Sequence, residues 1–439
     1  MRTSMQNSGA SQRLRWLGWA VSLPWRMRWR RWFGISTLLV LSMVMMGSDV
    51  LHISPTTRAT AASSFSFENW VTRNLTSKAL SGLFDFLPGR GHSQEERESA
   101  VQAYFELGEQ VRRIEGTLAL SVAKEGVSGV ENPEAAALEE RLDELRDQRD
   151  GLSSLVETTL EQAVAKVLRE QDLDRDWGPF EPLFPPVSFR LDRLPKLIVV
   201  SPRDRIATLE VHLLESDLSV AERMELETAV GSDQNRSALV TGLGGLATFP
   251  SLISDSQSLR SSLQTIAHEW LHHYFFFHSL GQAYSDSGNM TTLNETAADI
   301  GGKELGDLVF ESLGGEIPKP VDATEPLTED EEGFDFNKTM RETRLHTDGL
   351  LEAGLVDEAE AYMEERRPIF VENGYPIRVL NQAYFAFHGT YAENAASVSP
   401  IAGQLRQVRD DSENIGRFIQ RVRGFGDYQS FLDYVNGSL

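Results

Sequence analysis

One short stretch, Thr265-Ile-Ala-His-Glu-Trp-Leu-His-His273, constrains the fold of this chain more than any other. It contains the pattern H-E-x-x-H at His268, Glu269 and His272. Residues four apart lie on one face of an α-helix, so a helix here presents both imidazoles to a single metal ion. Glu269 is one step round the helix, where its carboxylate can reach a water on that ion and act as a general base. The stretch therefore predicts a catalytic Zn²⁺ site on a helix.

A catalytic zinc site needs a third protein ligand, and the sequence offers Glu295, His278 and His273. The chain has no cysteine, so any ligand must be a histidine or a carboxylate. His278 stands ten residues after His268, but Phe275 occupies the position where a glycine would break the helix. On an unbroken helix His278 points away from the other histidines, and His273 faces to the side. These positions disfavour His278 and His273 as ligands.

The segment Asn294-Glu295-Thr-Ala-Ala-Asp299, taken with H-E-x-x-H, resembles the signature of the gluzincin metallopeptidases. The resemblance implies that Glu295 is the third zinc ligand. It also implies that Asp299 hydrogen-bonds His268 and holds its tautomer. The expected fold is a zincin-like metallopeptidase domain, and the expected substrate is a peptide or protein. The 22 residues between His272 and Glu295 exceed the commonest spacing of the family, which predicts a longer connecting loop.

The tail segment Leu380-Asn-Gln-Ala-Tyr-Phe-Ala-Phe-His-Gly-Thr-Tyr391 is similar to a segment of a group of predicted bacterial aminopeptidases of the same clan. This resemblance covers about residues 190–439. A tyrosine or histidine here could hydrogen-bond the oxyanion of a tetrahedral intermediate, and the candidates are Tyr391, His388 and Tyr384. We take Tyr391 as the first candidate. Asn381 could either cap a helix or bind substrate backbone.

The N-terminal region predicts a membrane segment. Residues 1–32 carry seven arginines and no acidic residue, and 15 uncharged residues follow from Phe33 to Gly47. We interpret 1–32 as a cytoplasmic stub and 33–53 as a single transmembrane anchor. The alternative is a signal segment cleaved near Ala61, after an A-x-A pattern. Both interpretations place the rest of the chain outside the cytoplasm.

A helical hairpin is predicted for 93–178, after a linker over 54–92. Leucines repeat with near-heptad spacing, and Gly126 to Pro133 interrupts the pattern. The repeating positions are Leu138, Leu142, Leu145, Leu152 and Leu155. The hairpin could be a spacer, a packing arm or the seam of a homodimer.

The remaining residues, 187–439, predict an α+β, mainly helical catalytic domain with a helical C-terminal subdomain. Strands are expected at 196–200, 207–214 and 237–249, with Pro250 closing the last one. Helices are expected at 220–230, from about 256 to 280, and from Thr291 or Thr292 onward. An acidic loop is expected at 317–336 before a helical tail. The glycine-rich strand 241–248 could bind an extended substrate by β-augmentation.

The net charge of −23 indicates that nucleic acid is not a partner, because phosphate would be repelled. A second hypothesis is a non-catalytic membrane-tethered scaffold, in which the hairpin binds a partner and the zincin domain is degenerate. The intact H-E-x-x-H and N-E-x-x-x-D patterns favour the enzyme.

Overall fold

The computed structural model describes residues 54–66, 70, 92–125, 133–174, 183–232, 235–317 and 334–437. It is mainly helical with two small sheets, which confirms the α+β class. The chain divides into two units, Met1–Arg58 and Ala59–Leu439, and only 54–58 of the first unit are described. Helix α1 is Pro55–Thr60. The predicted stub and anchor lie outside the described residues, and no helix within the described ranges is long and apolar enough to cross a membrane.

The predicted hairpin is formed by two long helices, α2 (Gln94–Glu125) and α3 (Pro133–Glu170). Leu142 and Leu145 of the leucine stripe are buried against Val111 of α2. The stripe is therefore used, at these positions, to join the two helices of one chain.

Helix α3 also packs into the main core, so the hairpin is not a separate arm. Val156, Leu160 and Val164 are buried in the same cluster as residues of the H-E-x-x-H helix. Two glutamates of α3 cover the edge of the first strand. Glu161 Oε1 accepts a hydrogen bond from the backbone N–H of Phe189 (2.9 Å), and Glu157 Oε1 accepts one from Leu191 (3.0 Å).

A buried ion pair adds a further link between the hairpin and the domain. The Arg149 guanidinium, only 1% exposed, donates to the carboxylate and to the backbone carbonyl of Asp255. It also stacks over the ring of Tyr104. A buried charge persists only when it is paired in this way, so the hairpin and the domain form one packed body.

Within the described residues, six strands form two three-stranded sheets. The strands are β1 Phe189–Asp192, β2 Lys196–Pro202, β3 Glu210–Leu214, β4 Arg236–Thr241, β5 Gly245–Leu246 and β6 Ser251–Ser254. The first has the order β3-β2-β4 and is antiparallel, and the second has the order β1-β6-β5 with β1 parallel to β6. Helix α4 (Val220–Ser232) connects β3 to β4.

The prediction of a single strand over 237–249 is wrong in one respect, because this segment forms two strands that belong to different sheets. β4 ends at Thr241, and β5 (Gly245–Leu246) pairs with β6 of the other sheet. Glycines 242 and 244 lie between the two strands, and their freedom allows the chain to change sheets.

The H-E-x-x-H helix, α5, runs from Leu259 to Phe276 with Ser258 as its N-cap. It therefore ends before the predicted Leu280, and a short helix α6 (Ser279–Gln282) follows. Gly281 permits this fold-back, because a Cβ there would lie 2.3 Å from the carbonyl of Phe275. Helix α7 (Gly288–Ser312) starts earlier than predicted, because Ser287 caps it by accepting a hydrogen bond from Met290 N–H.

The tail is helical, as predicted. Of the acidic loop, 318–333 lie outside the described residues. The tail helices are α8 Phe336–Glu352, α9 Val356–Glu372, α10 Gln382–His388, α11 Ile401–Asp410, α12 Ile415–Val422 and α13 Tyr428–Val435. Helix α10 packs through Ala383 against Leu197, Val199 and Leu239 of the first sheet.

Candidate metal centre

Helix α5 places His268 and His272 side by side, as their four-residue spacing predicts. Their Nε2 atoms are 3.0 Å apart, and the rings meet edge to face. Both side chains are largely buried. The two nitrogens are therefore directed at one point.

Glu295 of helix α7 completes the group. Its Oε2 lies 3.4 Å from His272 Nε2 and 3.6 Å from His268 Nε2. Donor atoms about 2 Å from a tetrahedral metal lie roughly 3.3 Å from one another, and the observed separations match this. These three residues form the one group of three or more histidine or acidic ligands found within the described part of the chain. The cluster can hold a metal ion, and two nitrogens with one carboxylate are a donor set that suits zinc.

The distance between α5 and α7 is set by glycines of α7. A Cβ at Gly302 would lie 2.8 Å from the Cβ of His268, and one at Gly306 would lie 2.4 Å from the Cα of Gln264. The backbone of α7 therefore touches α5 where any side chain would separate them. Because the two helices are this close, the carboxylate of Glu295 on α7 reaches both histidines of α5.

Two hydrogen bonds hold the ligands from behind. Asn294 Oδ1 lies 3.0 Å from His272 Nδ1, and Asn294 Nδ2 donates to the carbonyl of Leu280. This orientation of the amide assigns the Nδ1 proton to His272 and directs Nε2 toward the cluster. Tyr284 donates its hydroxyl to Glu295 Oε1 at 2.6 Å, so that Oε2 faces the histidines.

The ligands interact strongly by charge. Burial by itself lowers the pKa of His272, but the Glu295 carboxylate outweighs burial and raises this pKa to about 9. Burial raises the pKa of Glu295, yet the two histidines hold it well below its usual range. The imidazole of His272 and the carboxylate of Glu295 therefore stabilise each other's charged form.

Glu269 is only 6% exposed, and burial raises the pKa of its carboxyl although both histidines lower it. Strand β5 lies directly against it, because a Cβ at Gly245 would come within 2.3 Å of Glu269 Oε1. Only glycine at 245 leaves room for the carboxylate there. Glu269 thus stands between the ligand cluster and the glycine-rich strand.

A cavity of about 590 Å³, which we call the cleft, opens in front of this group. Glycines 242, 244 and 245 line one side, and His268 and Glu269 line another. Within the described residues β5 pairs with β6 alone, so its opposite edge carries no strand partner. The cleft can therefore admit an extended chain beside β5.

The tail candidates separate into different roles. Tyr391 lines the cleft with its ring centre 6.1 Å from that of His268, and burial raises its pKa. His388 also lines the cleft, and burial lowers its pKa to about 4, which keeps it neutral at neutral pH. Tyr384 stacks beside His388 but does not line the cleft, and burial raises its pKa to about 12. Asn381 caps α10 by accepting a hydrogen bond from Tyr384 N–H.

Asp299 lines the cleft, but its hydrogen-bond partner differs from the expected His268. Its Oδ2 accepts a hydrogen bond from Lys303 Nζ at 2.7 Å, and the structure records none between Asp299 and His268. The reason is local, because Lys303 lies one turn further along the same helix. Lys303 also reaches Glu393 at 2.9 Å.

Helix α7 tethers the segment that carries Tyr391. Ala392 N–H donates to the buried hydroxyl of Thr296, and Glu393 binds Lys303. Ala392 and Glu393 directly follow Tyr391 in the sequence. The helix that provides Glu295 therefore also holds Tyr391 over the cleft.

The two alternative ligands lie outside the cluster. His278 takes an extended backbone conformation after the end of α5, and its ring contacts that of Tyr274 at 4.8 Å. His273 faces Phe249 at 6.0 Å. Neither is close enough to join the three ligand atoms.

Sequence reasoning missed Tyr284 and the glycines of α7. Tyr284 stands in the long loop between the two motifs, where no pattern marks it. Gly302 and Gly306 are four apart on one helical face, and this small-residue spacing was a signal for close helix packing.

No protein-family model, curated protein or solved structure matches this chain.

Gly306→Ala is expected to push α5 and α7 apart. Because the contact is backbone to backbone, the overpacked variant should lose about 1–3 kcal/mol in the free energy of unfolding. Zinc affinity should also fall, because Glu295 moves away from the histidines. Urea unfolding and a chelator competition assay measure the two quantities.

Gly151→Ala in α3 is the matched control, because nothing lies within 4 Å of its Cβ position. This change should keep zinc affinity and stabilise its helix by up to about 1 kcal/mol. If the two variants had the same free energy of unfolding and the same zinc affinity, the spacing of α5 and α7 would not depend on glycine.

Zinc binding is expected to depend on pH through His272. A metal must displace the proton that this residue holds with a pKa of about 9, so affinity should rise with pH and level off near that value. If one proton is displaced, the zinc affinity should rise about tenfold per pH unit below this pKa. Calorimetry in buffers of different ionisation enthalpy counts the released proton, and a pH-independent affinity would contradict the assignment.

Proposed function

We propose that this chain is a zinc-dependent metallopeptidase of the gluzincin type. One observation carries the proposal, namely the convergence of His268, His272 and Glu295 next to the buried carboxyl of Glu269, at the wall of a cleft. The pairing of H-E-x-x-H with a downstream N-E-x-x-x-D supports the same class. In this proposal the three ligands hold Zn²⁺ through His268 Nε2, His272 Nε2 and Glu295 Oε2.

Zinc, when bound, supplies two effects, because it acidifies a water molecule and polarises a carbonyl oxygen. Glu269 acts as the general base. Its carboxylate takes a proton from the attacking water and then returns it to the leaving amine. Burial in the wall of the cleft raises the pKa of this carboxyl, which brings it closer to neutral pH and suits both transfers.

Tyr391 is proposed to donate its hydroxyl to the developing oxyanion. Its ring lies beside that of His268, and its raised pKa keeps the phenol protonated, so it remains a hydrogen-bond donor. Thr296 and Lys303 fix the segment that carries it. Of the three tail candidates, Tyr391 combines a position in the cleft with a stable donor proton.

A peptide is the substrate class that the cleft favours. The free edge of β5 offers backbone hydrogen bonds to an extended chain, and the glycines there allow close approach. We further propose that the domain acts outside the cytoplasm, as the N-terminal sequence predicts.

Glu269→Gln should abolish turnover and spare the metal. The variant keeps the shape of the side chain but cannot accept a proton, so the rate of peptide cleavage should fall roughly 10²–10⁴-fold. Cleavage of a quenched peptide library, with zinc content measured on the same preparations, tests this.

Glu311→Gln, at the exposed end of α7, is the matched control and should keep full activity. The wild-type protein should contain one equivalent of zinc. A protein that binds no zinc would favour the scaffold, and full activity in Glu269→Gln would contradict the mechanism.

Tyr391→Phe should lower kcat and leave KM and zinc content almost unchanged. The reason is that a donor to the oxyanion acts only in the transition state, and such a loss costs about 10²–10³ in kcat. Tyr384→Phe is the control, because Tyr384 does not line the cleft, and its kcat should stay near that of the wild type. A larger loss in Tyr384→Phe would reassign the role.

A further inference from the structure

A second cavity adjoins the cleft and has a different character. Its volume is about 490 Å³, and we call it the annex. Four residues line both cavities and so form the wall between them: Asn337, Glu393, Asn394 and Ala395. A chain bound in the cleft can therefore extend over this wall into the annex.

The annex is basic, although the chain as a whole is acidic with a net charge of −23. Lys338 and Arg341 come from helix α8, and Arg406 comes from α11. Among the described residues, Glu393 is the one carboxylate in the lining, and it is already paired with Lys303 at 2.9 Å and Arg406 at 2.8 Å. The annex therefore has more positive than negative charge.

Lys338 and Arg341 are the cations that remain available to a ligand. Neither forms a salt bridge with any residue in the described ranges, and both are exposed. Arg341 donates one hydrogen bond, from Nη1 to the carbonyl of Ser397 at 3.2 Å, which orients its guanidinium while its other donors stay open.

The start of helix α11 adds to the positive potential. Ala402 and Gly403, in its first turn, line the annex. Pro400 at the N-cap position provides no side-chain cap, and Ser399 Oγ accepts a hydrogen bond from the N–H of Ile401 alone among the first-turn N–H groups of the described structure. Backbone N–H groups in the first turn of a helix attract anions, and here they act beside three cationic side chains.

We propose that the annex is a carboxylate-binding subsite, which gives the peptidase a preference for substrates with a carboxylate some residues from the scissile bond. This inference rests on the proposed function. An acidic side chain and a C-terminal carboxylate offer the same chemistry, and the arginine and lysine suit both. A peptide is the expected carrier because the annex is continuous with the cleft that holds the extended chain.

The test is a binding experiment that does not depend on turnover. The probes are fluorescein-labelled alanine-based peptides with Glu or Gln at each position in turn, made with a free or an amidated C-terminus. Fluorescence polarisation measures their affinity for the zinc-loaded Glu269→Gln protein. Tighter binding of the Glu peptides than of the Gln peptides would show that the annex binds an acidic side chain. Tighter binding of the free than of the amidated peptides would show that it binds the C-terminal carboxylate.

The double variant Lys338→Gln/Arg341→Gln, made in the same protein, removes the two available cations and leaves a neutral polar side chain at each position. We expect the preference for the carboxylate to fall about tenfold, the size of a charge-assisted hydrogen bond. The control Arg141→Gln/Lys166→Gln removes the same charge from exposed positions on α3 and should keep the preference. Salt should weaken the preference, because exposed charges are screened.

The inference is overturned if Glu269→Gln binds Glu and Gln peptides, and both C-terminal forms, equally. It is also overturned if the control lowers the preference as much as the annex variant does. Failure of the proposed function gives a different result, because the otherwise wild-type zinc protein would then cleave no peptide, whatever its binding preference.

Discussion

The contact between helices α5 and α7 is the constraint on which the rest of the site depends. The two histidines on α5 direct their Nε2 atoms at one candidate metal position. A third ligand must come from another helix, and this helix must be close enough for a glutamate side chain to reach the same position. Gly302 and Gly306 provide that closeness, because a Cβ at either position would meet α5 at 2.9 Å or less. The same helix carries Asn294 behind His272 and tethers Tyr391 through Thr296. Ligand geometry, orientation and the wall of the cleft thus follow from one helix pair.

The sequence predicted the ligand set because its signals are local. The four-residue spacings of His268 and His272, and of Glu295 and Asp299, fix helical faces without knowledge of the fold. Partners set by packing were harder to predict. Tyr284, for example, reaches Glu295 from a loop. Nothing in the pattern around Thr241 indicated that the chain would change sheets there, because the choice depends on which strand edge is free.

The helical hairpin shows which features the leucine spacing could predict and which it could not. The leucine stripe indicated correctly that the helices bury one face, but not what covers it. Leu142 and Leu145 pack against α2, whereas Val156 and Leu160 enter the core around α5. Glu157 and Glu161 bind the edge of β1. A predicted arm proves to support the site, and the hairpin covers a strand edge that would otherwise be open to pairing with another chain.

The hydrogen bonds behind the ligands have a consequence for how the protein is supplied with metal. Asn294 and Tyr284 orient His272 and Glu295 by protein contacts alone, and the imidazole and the carboxylate stabilise each other by charge. Such a site can form before an ion arrives, unlike small zinc domains that remain unfolded without metal. Under the proposed function, the polypeptide would complete its folding first and take zinc from its surroundings afterwards. The proposed peptidase activity would then follow the free zinc concentration of the compartment in which the protein resides.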